Sequence, residues 1–290
     1  MHRIDTSTAQ KDKFGAGKNG FTGGNPQTGE LPTALNAEFF DSVQEEIASI
    51  IEAAGITLSS ASNNQLLAAV KGLVGPGRLL NIQVFTANGT VTKTAGAKKW
   101  KIRVLGGGGG SSAAPATGTG QVSVSNGGGA GAYAEGVYDV TSISSAAITI
   151  GAGGPGGTSS SQYGVDGSAT SVGNLISAPG GKAGLPAGPA NPPFQPVANT
   201  NGASPTNWNI VGSSGPGAEA AVAVSTNYAA GSRGANSQLG VGGSIPAINN
   251  NANTGGGFGS GASGCANGPS QPVNAGAAGR SGIAIIEEYA

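Results

Sequence analysis

The most constraining feature of this sequence is how glycine is distributed after Val104. The chain has 55 glycines in 290 residues, and most of them follow Val104. Only six charged residues lie between Val104 and Gly279: Glu135, Asp139, Asp166, Lys182, Glu219 and Arg233. Acid–base catalysis, metal binding and phosphate transfer all need clustered ionisable groups. The pattern therefore argues against an enzyme and favours a surface that contacts another surface.

The glycine runs themselves, such as Gly106–Gly110 and Gly127–Gly129, raise the question of disorder. Disordered chains are usually highly charged and poor in β-branched residues. Here charged residues make up 10% of the chain, and strand-like patterns persist between the runs. Glycine segments become ordered only when their backbone groups find partners, and they pack closely because no side chain intervenes. We expect ordered runs without the strict three-residue repeat of collagen.

Charge and hydropathy exclude several partners. The net charge of +0 gives no basic footprint for nucleic acid. No run of about 18 apolar residues is available for membrane insertion. Residues 2–5 contain no apolar export region, so synthesis in a cytoplasm without a signal peptide is expected.

Residue types also limit the chemistry. His2 is the only histidine, so no catalytic triad or histidine-based metal site is predicted. Cys265 is the only cysteine, so no intrachain disulfide forms, and we expect a small loop residue there. The Gly17-Lys18 pair is not a P-loop, because Asn19 follows it and no strand precedes it. No catalytic, metal or cofactor residue is predicted.

The first part of the chain reads as an arm followed by a helix. Residues 1–35 are polar and rich in turn residues, with Phe14 and Phe21 as the expected anchors. Residues 36–54 are predicted to be helical, with Asn36 as the N-cap and Gly55 as the stop. Its apolar residues follow the spacing of one helix face. They are Phe40, Val43, Ile47, Ile50, Ile51 and Ala54.

A second, shorter helix is predicted at residues 62–71. Ser62 and Gln65 fit a capping box, and Gly72 is expected to end the helix. Two helices of this length do not bury a core alone. The apolar stripe of the first helix therefore packs either within one chain or against copies of the chain around a symmetry axis.

From Leu79 the apolar period changes to two, which is typical of strands. Residues 82–86 and 89–92 are predicted strands about an Ala87-Asn88 turn. In the next strand Trp100, Ile102 and Val104 share one face. Further strands are predicted at 121–125, 132–140, 146–150, 169–177, 220–225 and 282–287. Many short strands joined by glycine-rich loops predict a sandwich closed by the C-terminal strand.

Several segments resemble tail fibre proteins of tailed bacteriophages and prophages, including the Mu-like kind. In residues 1–75 the matching segments are His2-Arg3-Ile4-Asp5-Thr6, Ala9-Gln10-Lys11-Asp12-Lys13-Phe14-Gly15, Lys18-Asn19-Gly20-Phe21-Thr22, Gly24-Asn25-Pro26, Phe39-Phe40-Asp41-Ser42-Val43-Gln44-Glu45-Glu46-Ile47 and Ile51-Glu52-Ala53-Ala54-Gly55-Ile56. The remainder resembles the glycine-rich domain at the distal end of such fibres. Its marks are Val84-Phe85-Thr86, Gly89-Thr90-Val91-Thr92, Trp100-Lys101-Ile102-Arg103-Val104, Gly131-Ala132-Tyr133-Ala134-Glu135-Gly136, Ile148-Thr149-Ile150-Gly151-Ala152-Gly153-Gly154 and Gly282-Ile283-Ala284-Ile285-Ile286-Glu287.

The resemblance implies a homotrimeric fibre without a repetitive shaft. Residues 1–77 would be an α-helical attachment region that binds tail or baseplate proteins of the virion. Residues 78–290 would be an all-β, glycine-rich, sandwich-like domain that binds a pilus, lipopolysaccharide or an outer-membrane protein of the host bacterium. The trimer core candidates are Phe40, Val43, Ile47, Ile50 and Ile51.

Two other functions stay open at this point. The chain is alternatively a structural fibre subunit or adaptor whose tip carries a separate adhesin. A third reading is a depolymerase of surface polysaccharide, which needs two carboxylates about 5 to 10 Å apart. Glu135 and Asp139 are a conceivable pair, but two solvated acids explain them more simply.

Receptor contact is expected in three loop regions, at 185–214, 226–239 and 244–275. Aromatic side chains among small polar residues supply contact area at low entropic cost, and asparagines hydrogen-bond sugar hydroxyls or peptide edges. Each aromatic residue alternatively fills a gap within its own domain. The candidates are Phe194, Trp208, Tyr228, Asn250 and Phe258, with Asn249, Asn251 and Asn253 beside Asn250.

Overall fold

The computed structural model of the protein describes residues 2–75 and 77–290. The described chain divides into two compact units at the boundary between Arg78 and Leu79. The N-terminal unit holds an irregular arm and two helices, α1 (Ala37–Ala53) and α2 (Gln65–Val74). The described part of the C-terminal unit contains strands, turns and extended segments, and no α-helix. A small α-helical region followed by an all-β, glycine-rich unit is the predicted fold class, and this prediction is confirmed.

The arm is anchored differently from the sequence prediction. Phe14 is 63% exposed and is therefore not an anchor. Phe21 packs edge-on against Phe39, with ring centroids 5.4 Å apart, although much of its ring stays exposed. The buried side chain of the arm is Ile4. The residues around Ile4 are mostly polar and show no apolar periodicity, so the sequence did not predict its burial.

Helix α1 begins and ends where its pattern predicts. Gly55 has a φ of +73° and its N–H donates to the Glu52 carbonyl at 2.8 Å, which is the expected helix stop. The predicted side-chain cap is wrong, because the Asn36 side chain makes no capping hydrogen bond. Its amide nitrogen instead donates to the Glu38 carboxylate at 3.3 Å.

Helix α2 is shifted relative to the prediction of 62–71. Gln65 is its first residue, and the Gln65 Nε2 donates to the Ser62 and Ser59 carbonyls, both at 2.7 Å. Gly72 lies inside the helix and does not end it. A glycine inside a helix costs only about 1 kcal/mol relative to alanine, so the apolar Leu73 and Val74 continue the helical run.

Sixteen short strands follow in the described part of the C-terminal unit. They are β1 (Leu79–Phe85), β2 (Gly89–Thr92), β3 (Lys99–Leu105), β4 (Val122–Ser125), β5 (Tyr133–Asp139), β6 (Ser145–Thr149), β7 (Thr170–Val172), β8 (Ile176–Ala178), β9 (Pro186–Ala190), β10 (Val211–Ser213), β11 (Val222–Ser225), β12 (Tyr228–Ala230), β13 (Gly240–Val241), β14 (Gly256–Gly257), β15 (Ala266–Asn267) and β16 (Ile283–Tyr289). All their pairings are antiparallel.

Two sheets form a sandwich at one end of this unit. The strand orders are β1-β16-β3-β5-β10 and β2-β6-β7-β8. Trp100, Ile102 and Val104 of β3 are almost fully buried between the sheets, so the predicted common face is confirmed. The C-terminal strand β16 lies between β1 and β3, which closes the sandwich as expected. The second sheet contributes Val91, Ile148, Val172, Ile176 and Ala178 to the core.

Two strand predictions need correction. The chain turns at Ala87-Asn88, but β1 and β2 pair with β16 and β6 in different sheets and not with each other. The Asn88 Oδ1 accepts a hydrogen bond from the Ile150 N–H at 2.7 Å, which holds this turn beside the end of β6. The segment 169–177 is a hairpin of β7 and β8 and not one strand, because the chain reverses at Gly173 with a φ of +47°.

Beyond the sandwich the glycine runs form a bundle of extended helices with three residues per turn. Successive N–H groups of residues 106–111 donate to three neighbouring segments in rotation. This period of three is that of a polyproline II-type helix. The donor and acceptor pairs are Gly106 with Ala132, Gly107 with Ser168, Gly108 with Arg280, Gly109 with Gly129, Gly110 with Val165 and Ser111 with Ala277, at 2.8 to 3.0 Å.

The run 106–111 lies at the centre of this glycine bundle. Its carbonyl groups accept hydrogen bonds from three further segments, through the N–H groups of Gly154 and Gly157, Gly181 and Gly184, and Ala262. A Cβ at any of Gly106–Gly110 would lie within 2.0 to 2.2 Å of a neighbouring carbonyl oxygen. The expectation that the glycine runs pack closely and pair sideways is thus confirmed. Between Gly106 and Thr117 the bundle extends for roughly 30 Å.

Candidate functional site

The end of the glycine bundle opposite the sandwich, here called the distal end, has its own small core. The chain reverses at residues 118–121, and β4 pairs with β9 and β15 there. The hairpin of β11 and β12 packs against this sheet. The buried residues are Val122, Val124, Ala221, Ala223, Ala229 and Ala266. The loops that follow these strands are therefore fixed on a rigid base.

Phe194 is at the distal end, where part of its role is structural. Its side chain is partly buried against the distal core. Its backbone pairs with Ala223 in both directions, with N···O distances of 2.9 and 3.0 Å. Much of the Phe194 ring therefore fills a gap within its own domain, which was the alternative to receptor contact.

Tyr228 is the most exposed of the aromatic candidates. It follows the two-residue turn Thr226-Asn227 of the distal hairpin and is 66% exposed. Val224, on the other strand of the hairpin, is exposed as well. This hairpin presents an aromatic ring and an aliphatic side chain to solvent.

The asparagine cluster divides into supporting residues and one free side chain. The Asn249 Oδ1 accepts from the Gly268 N–H at 2.7 Å, and the Asn251 Oδ1 accepts from the Ala275 N–H at 2.8 Å. The Asn253 Nδ2 donates to the Ser244 carbonyl at 3.0 Å. The exposed Asn250 side chain forms no hydrogen bond within the described residues, so its amide is available to a ligand.

Trp208 and Phe258 lie away from the distal end. The Trp208 indole covers Gly212 of the edge strand β10 in the sandwich, and the side chain is 46% exposed. Phe258 is half-buried, and its N–H donates to the Leu239 carbonyl at 3.3 Å. Its neighbour Gly259 lies against Leu105, where the sandwich meets the bundle. The structure thus groups Phe194, Tyr228 and Asn250 at the distal end, whereas Trp208 and Phe258 lie at the sandwich end of the glycine bundle.

Glu135 and Glu287 are engaged in ion pairs on the outer face of the larger sheet. The Lys101 Nζ lies 3.0 Å from the Glu135 Oε1, and the Tyr133 hydroxyl donates to the Glu135 Oε2 at 3.0 Å. Burial acts to raise the pKa of Glu135, but these two hydrogen bonds together lower it below its ordinary value. Burial, reinforced by the Glu135 contact, raises the pKa of Tyr133 to about 12. A lowered pKa suits an ion pair and not a general acid.

Glu135 and Asp139 are not placed like a glycosidase pair. They are four residues apart on β5, which corresponds to about 13 Å along a strand. The Asp139 Oδ1 accepts from the Thr141 N–H at 2.9 Å, as a turn residue does. This separation exceeds the spacing of about 5 to 10 Å that paired catalytic carboxylates need.

Cys265 is buried in the distal part of the unit and forms no disulfide. Its N–H donates to the Ser125 Oγ at 2.9 Å. Burial raises the pKa of its thiol, which disfavours the reactive thiolate. Cys265 thus lies in the loop segment directly before β15, as predicted, and its side chain is packed inside the unit.

The helices of the N-terminal unit expose apolar side chains. Phe40, Ile47 and Ile50 of α1 are exposed, Val43 is half-buried, and Ile51 is buried within the chain. On α2 the exposed apolar residues are Leu66, Leu67, Val70, Leu73 and Val74. Surface apolar residues scattered singly are normal, whereas a group of this size on adjacent turns indicates a contact surface.

No helix in residues 2–75 or 77–290 has the length and hydropathy needed to cross a membrane. Within the same residues, no group of three or more His, Cys, Asp or Glu side chains is arranged to hold a metal ion.

Comparison with known proteins adds two findings. A relative, "Uncharacterized protein StfP" of Escherichia coli (strain K12), is 60% identical over 74 residues. The match covers 26% of this chain and 35% of the relative, so the chain spans about a third of the relative's length. The family model of the glycine-rich domain matches residues 85–289, which include the glycine bundle and all strands of the sandwich except most of β1. The chain therefore belongs to the glycine-rich domain family.

Proposed function

We propose that this protein is a tail fibre or receptor-binding protein of a tailed bacteriophage and attaches the virion to the bacterial surface. One observation carries the proposal. Leu79, the first residue of the C-terminal unit, pairs with Tyr289 in the sandwich, whereas Tyr228 and Asn250 lie at the distal end. A rigid bundle thus separates the point where the chain enters the unit from the loops with exposed side chains.

The N-terminal unit is the proposed virion-attachment region. Its support is the specific resemblance of residues 1–75 to tail fibre proteins. Tail or baseplate proteins are the proposed partners of this region, and the virion is the proposed location of the protein.

We further propose that the protein is a homotrimer. The support is the exposed apolar group on α1 and α2, which one chain leaves uncovered. Phe40, Ile47 and Ile50 would lie at the axis, with Val43 beside them, while Ile51 packs inside each chain. Burying such side chains between copies is favourable by about 25 cal/mol per Å² of apolar surface.

The proposed receptor is a pilus, lipopolysaccharide or an outer-membrane protein. Because few charged residues lie in the glycine-rich region, we propose a contact that depends little on salt. Discrimination between strains needs side chains of distinct shape, and the distal loops supply them on a fixed base.

The test is adsorption of the labelled full chain to a panel of bacterial strains, in parallel with infection by particles that carry it. We expect binding only to strains that the particles adsorb to, and competition between free protein and particles. If particles adsorb while the free chain binds no strain and does not compete, the chain is instead a structural subunit or adaptor for a separate adhesin.

A further inference from the structure

A concave surface lies on the side of the C-terminal unit, where the sandwich meets the glycine bundle. Its cavity has a volume of about 380 Å³ and lies apart from the distal loops. The polar side chains that line it and matter here are Tyr133, Asn201, Ser213, Ser214, Asn236 and Gln238. Among the described residues, none of those that line this side cavity is charged.

Two amide groups of the side cavity are held in one orientation. The Asn236 Oδ1 accepts from the Gly242 N–H at 2.8 Å, and the Asn201 Oδ1 accepts from the Gly217 N–H at 3.0 Å. In an amide only the oxygen accepts hydrogen bonds, so the Nδ2 group of each asparagine takes no part in this bond. Neither Nδ2 donates to another protein group in the described chain. Each asparagine therefore keeps two N–H donors for a ligand.

The support of these two asparagines is rigid. A Cβ at Gly242 would lie 1.8 Å from the Gly234 carbonyl oxygen, and one at Gly217 would lie 2.4 Å from the Asn199 carbonyl oxygen. Both acceptor bonds thus attach the asparagines to close-packed glycine segments. Donors fixed before binding lose less entropy when a ligand arrives.

Tyr133 adds an aromatic surface with its hydroxyl already engaged. The hydroxyl donates to Glu135, which Lys101 holds from the other side. Tyr133 is half-buried, and Ser213 is its cross-strand neighbour on β10. The accessible part of the residue is therefore the apolar ring, next to the serine hydroxyl.

We propose that the side cavity binds a neutral carbohydrate, such as a hexose unit of a bacterial surface polysaccharide. This inference rests on the proposed function and names the chemical class of one receptor component. Sugar rings present hydroxyls at their edge, which suit the amides and serines, and C–H groups on their faces, which suit the Tyr133 ring. A phosphate or carboxylate would meet no cation in the cavity, and an apolar ligand would leave the amides unpaired.

The test uses the full chain on an array of neutral and acidic bacterial oligosaccharides. Asn201→Asp and Asn236→Asp keep the Oδ1 acceptor that the glycine N–H groups need and replace the donating NH₂ by an acceptor oxygen. Asn174→Asp introduces the same change at an exposed asparagine in the turn between β7 and β8, outside the candidate loops, and is the matched control. Melting curves of all three variants show whether the fold is retained.

We expect binding to one or a few neutral oligosaccharides, at least a tenfold loss in each of the two cavity variants, and unchanged binding in the control. Gln238→Ala, which removes an exposed side chain that forms no hydrogen bond within the described residues, should weaken binding as well.

Binding confined to acidic oligosaccharides, no binding on the array, or equal binding by all variants would overturn the proposal. A chain that adsorbs to cells but binds no oligosaccharide refutes this site alone. A chain that binds neutral oligosaccharides but no cells supports the site and refutes the attachment function.

Discussion

The Trp100 Nε1 donates a hydrogen bond to the Glu288 Oε1 at 2.7 Å inside the sandwich, where both side chains are fully buried. Glu288 is a carboxylate surrounded by neutral donors. The Thr94 N–H, the Gln83 Nε2 and the Asn81 Nδ2 donate to it at 3.1, 3.2 and 3.3 Å, and the Thr94 hydroxyl donates as well. The last strand is thereby tied to β1, to β3 and to the segment after β2.

Glu288→Gln should destabilise the protein by about 1 to 3 kcal/mol, because the new NH₂ group would face donors and leave some of them unpaired in a buried place. Chemical denaturation of the full chain measures the loss. Glu219→Gln, at an exposed position, is the control and should change the free energy of unfolding by less than about 0.5 kcal/mol. Equal stability of both variants would show that Glu288 is not a structural acceptor.

Stability should fall in acid, and Glu288 should contribute to the fall. Burial acts to raise the pKa of Glu288, but the hydrogen bonds from Thr94, Trp100 and Gln83 hold it below the ordinary value of 4.5. The resulting stabilisation is present above the unfolded pKa and is lost as pH falls through the lower folded pKa. Melting temperatures between pH 7 and pH 3 should therefore drop below about pH 4.5, and less steeply in Glu288→Gln. An equally steep drop in the variant would contradict this assignment.

Gly108→Ala should disrupt the centre of the glycine bundle. The added Cβ would lie 2.1 Å from the Ser260 carbonyl oxygen, and a backbone atom is unable to move aside as a side chain does. We expect a loss of more than about 3 kcal/mol, seen as poor soluble yield or rapid proteolysis. Gly256→Ala is the matched control, since a Cβ there would meet nothing within 4 Å. A stable Gly108→Ala protein would refute the close packing.

Tyr228→Ala should reduce adsorption of particles at least tenfold if the distal loops contact the receptor, since truncation of an aromatic anchor commonly costs about 2 kcal/mol or more. Tyr163→Ala, at another exposed tyrosine, is the control and should leave adsorption unchanged. Adsorption of particles with Trp208→Ala tests whether the sandwich end of the unit contacts the receptor instead. A loss with Trp208→Ala and none with Tyr228→Ala would move the receptor contact away from the distal end.

Ile47→Asp should dissociate the proposed trimer, because three carboxylates would meet in an apolar interface. Ile47 is exposed within one chain, so each subunit should still fold. Sedimentation of the full chain measures the mass of the assembly. Gln44→Asp, at an exposed polar position of the same helix, should leave the trimer intact. A wild-type protein that sediments as a monomer at micromolar concentration would refute the trimer itself.

Local patterns determined a large part of this fold. The spacing of apolar residues along α1 and the alternation of Trp100, Ile102 and Val104 follow from the periods of helix and strand, which each segment carries in its own side chains. Such patterns do not say which strands pair. The separation of β1 and β2 into different sheets therefore became visible only in the tertiary structure.

Which segments form the glycine bundle, and where the side cavity lies, became visible only in the tertiary structure. A glycine run has no side chains to carry a period, so the sequence showed that Gly106–Gly110 lack bulk but not which six segments surround them. Asn201 and Asn236 are 35 residues apart in a stretch without periodicity, and glycine N–H groups orient both of them. The sequence thus determined that side chains are scarce, whereas the packing of the glycine segments decided where the few functional side chains meet.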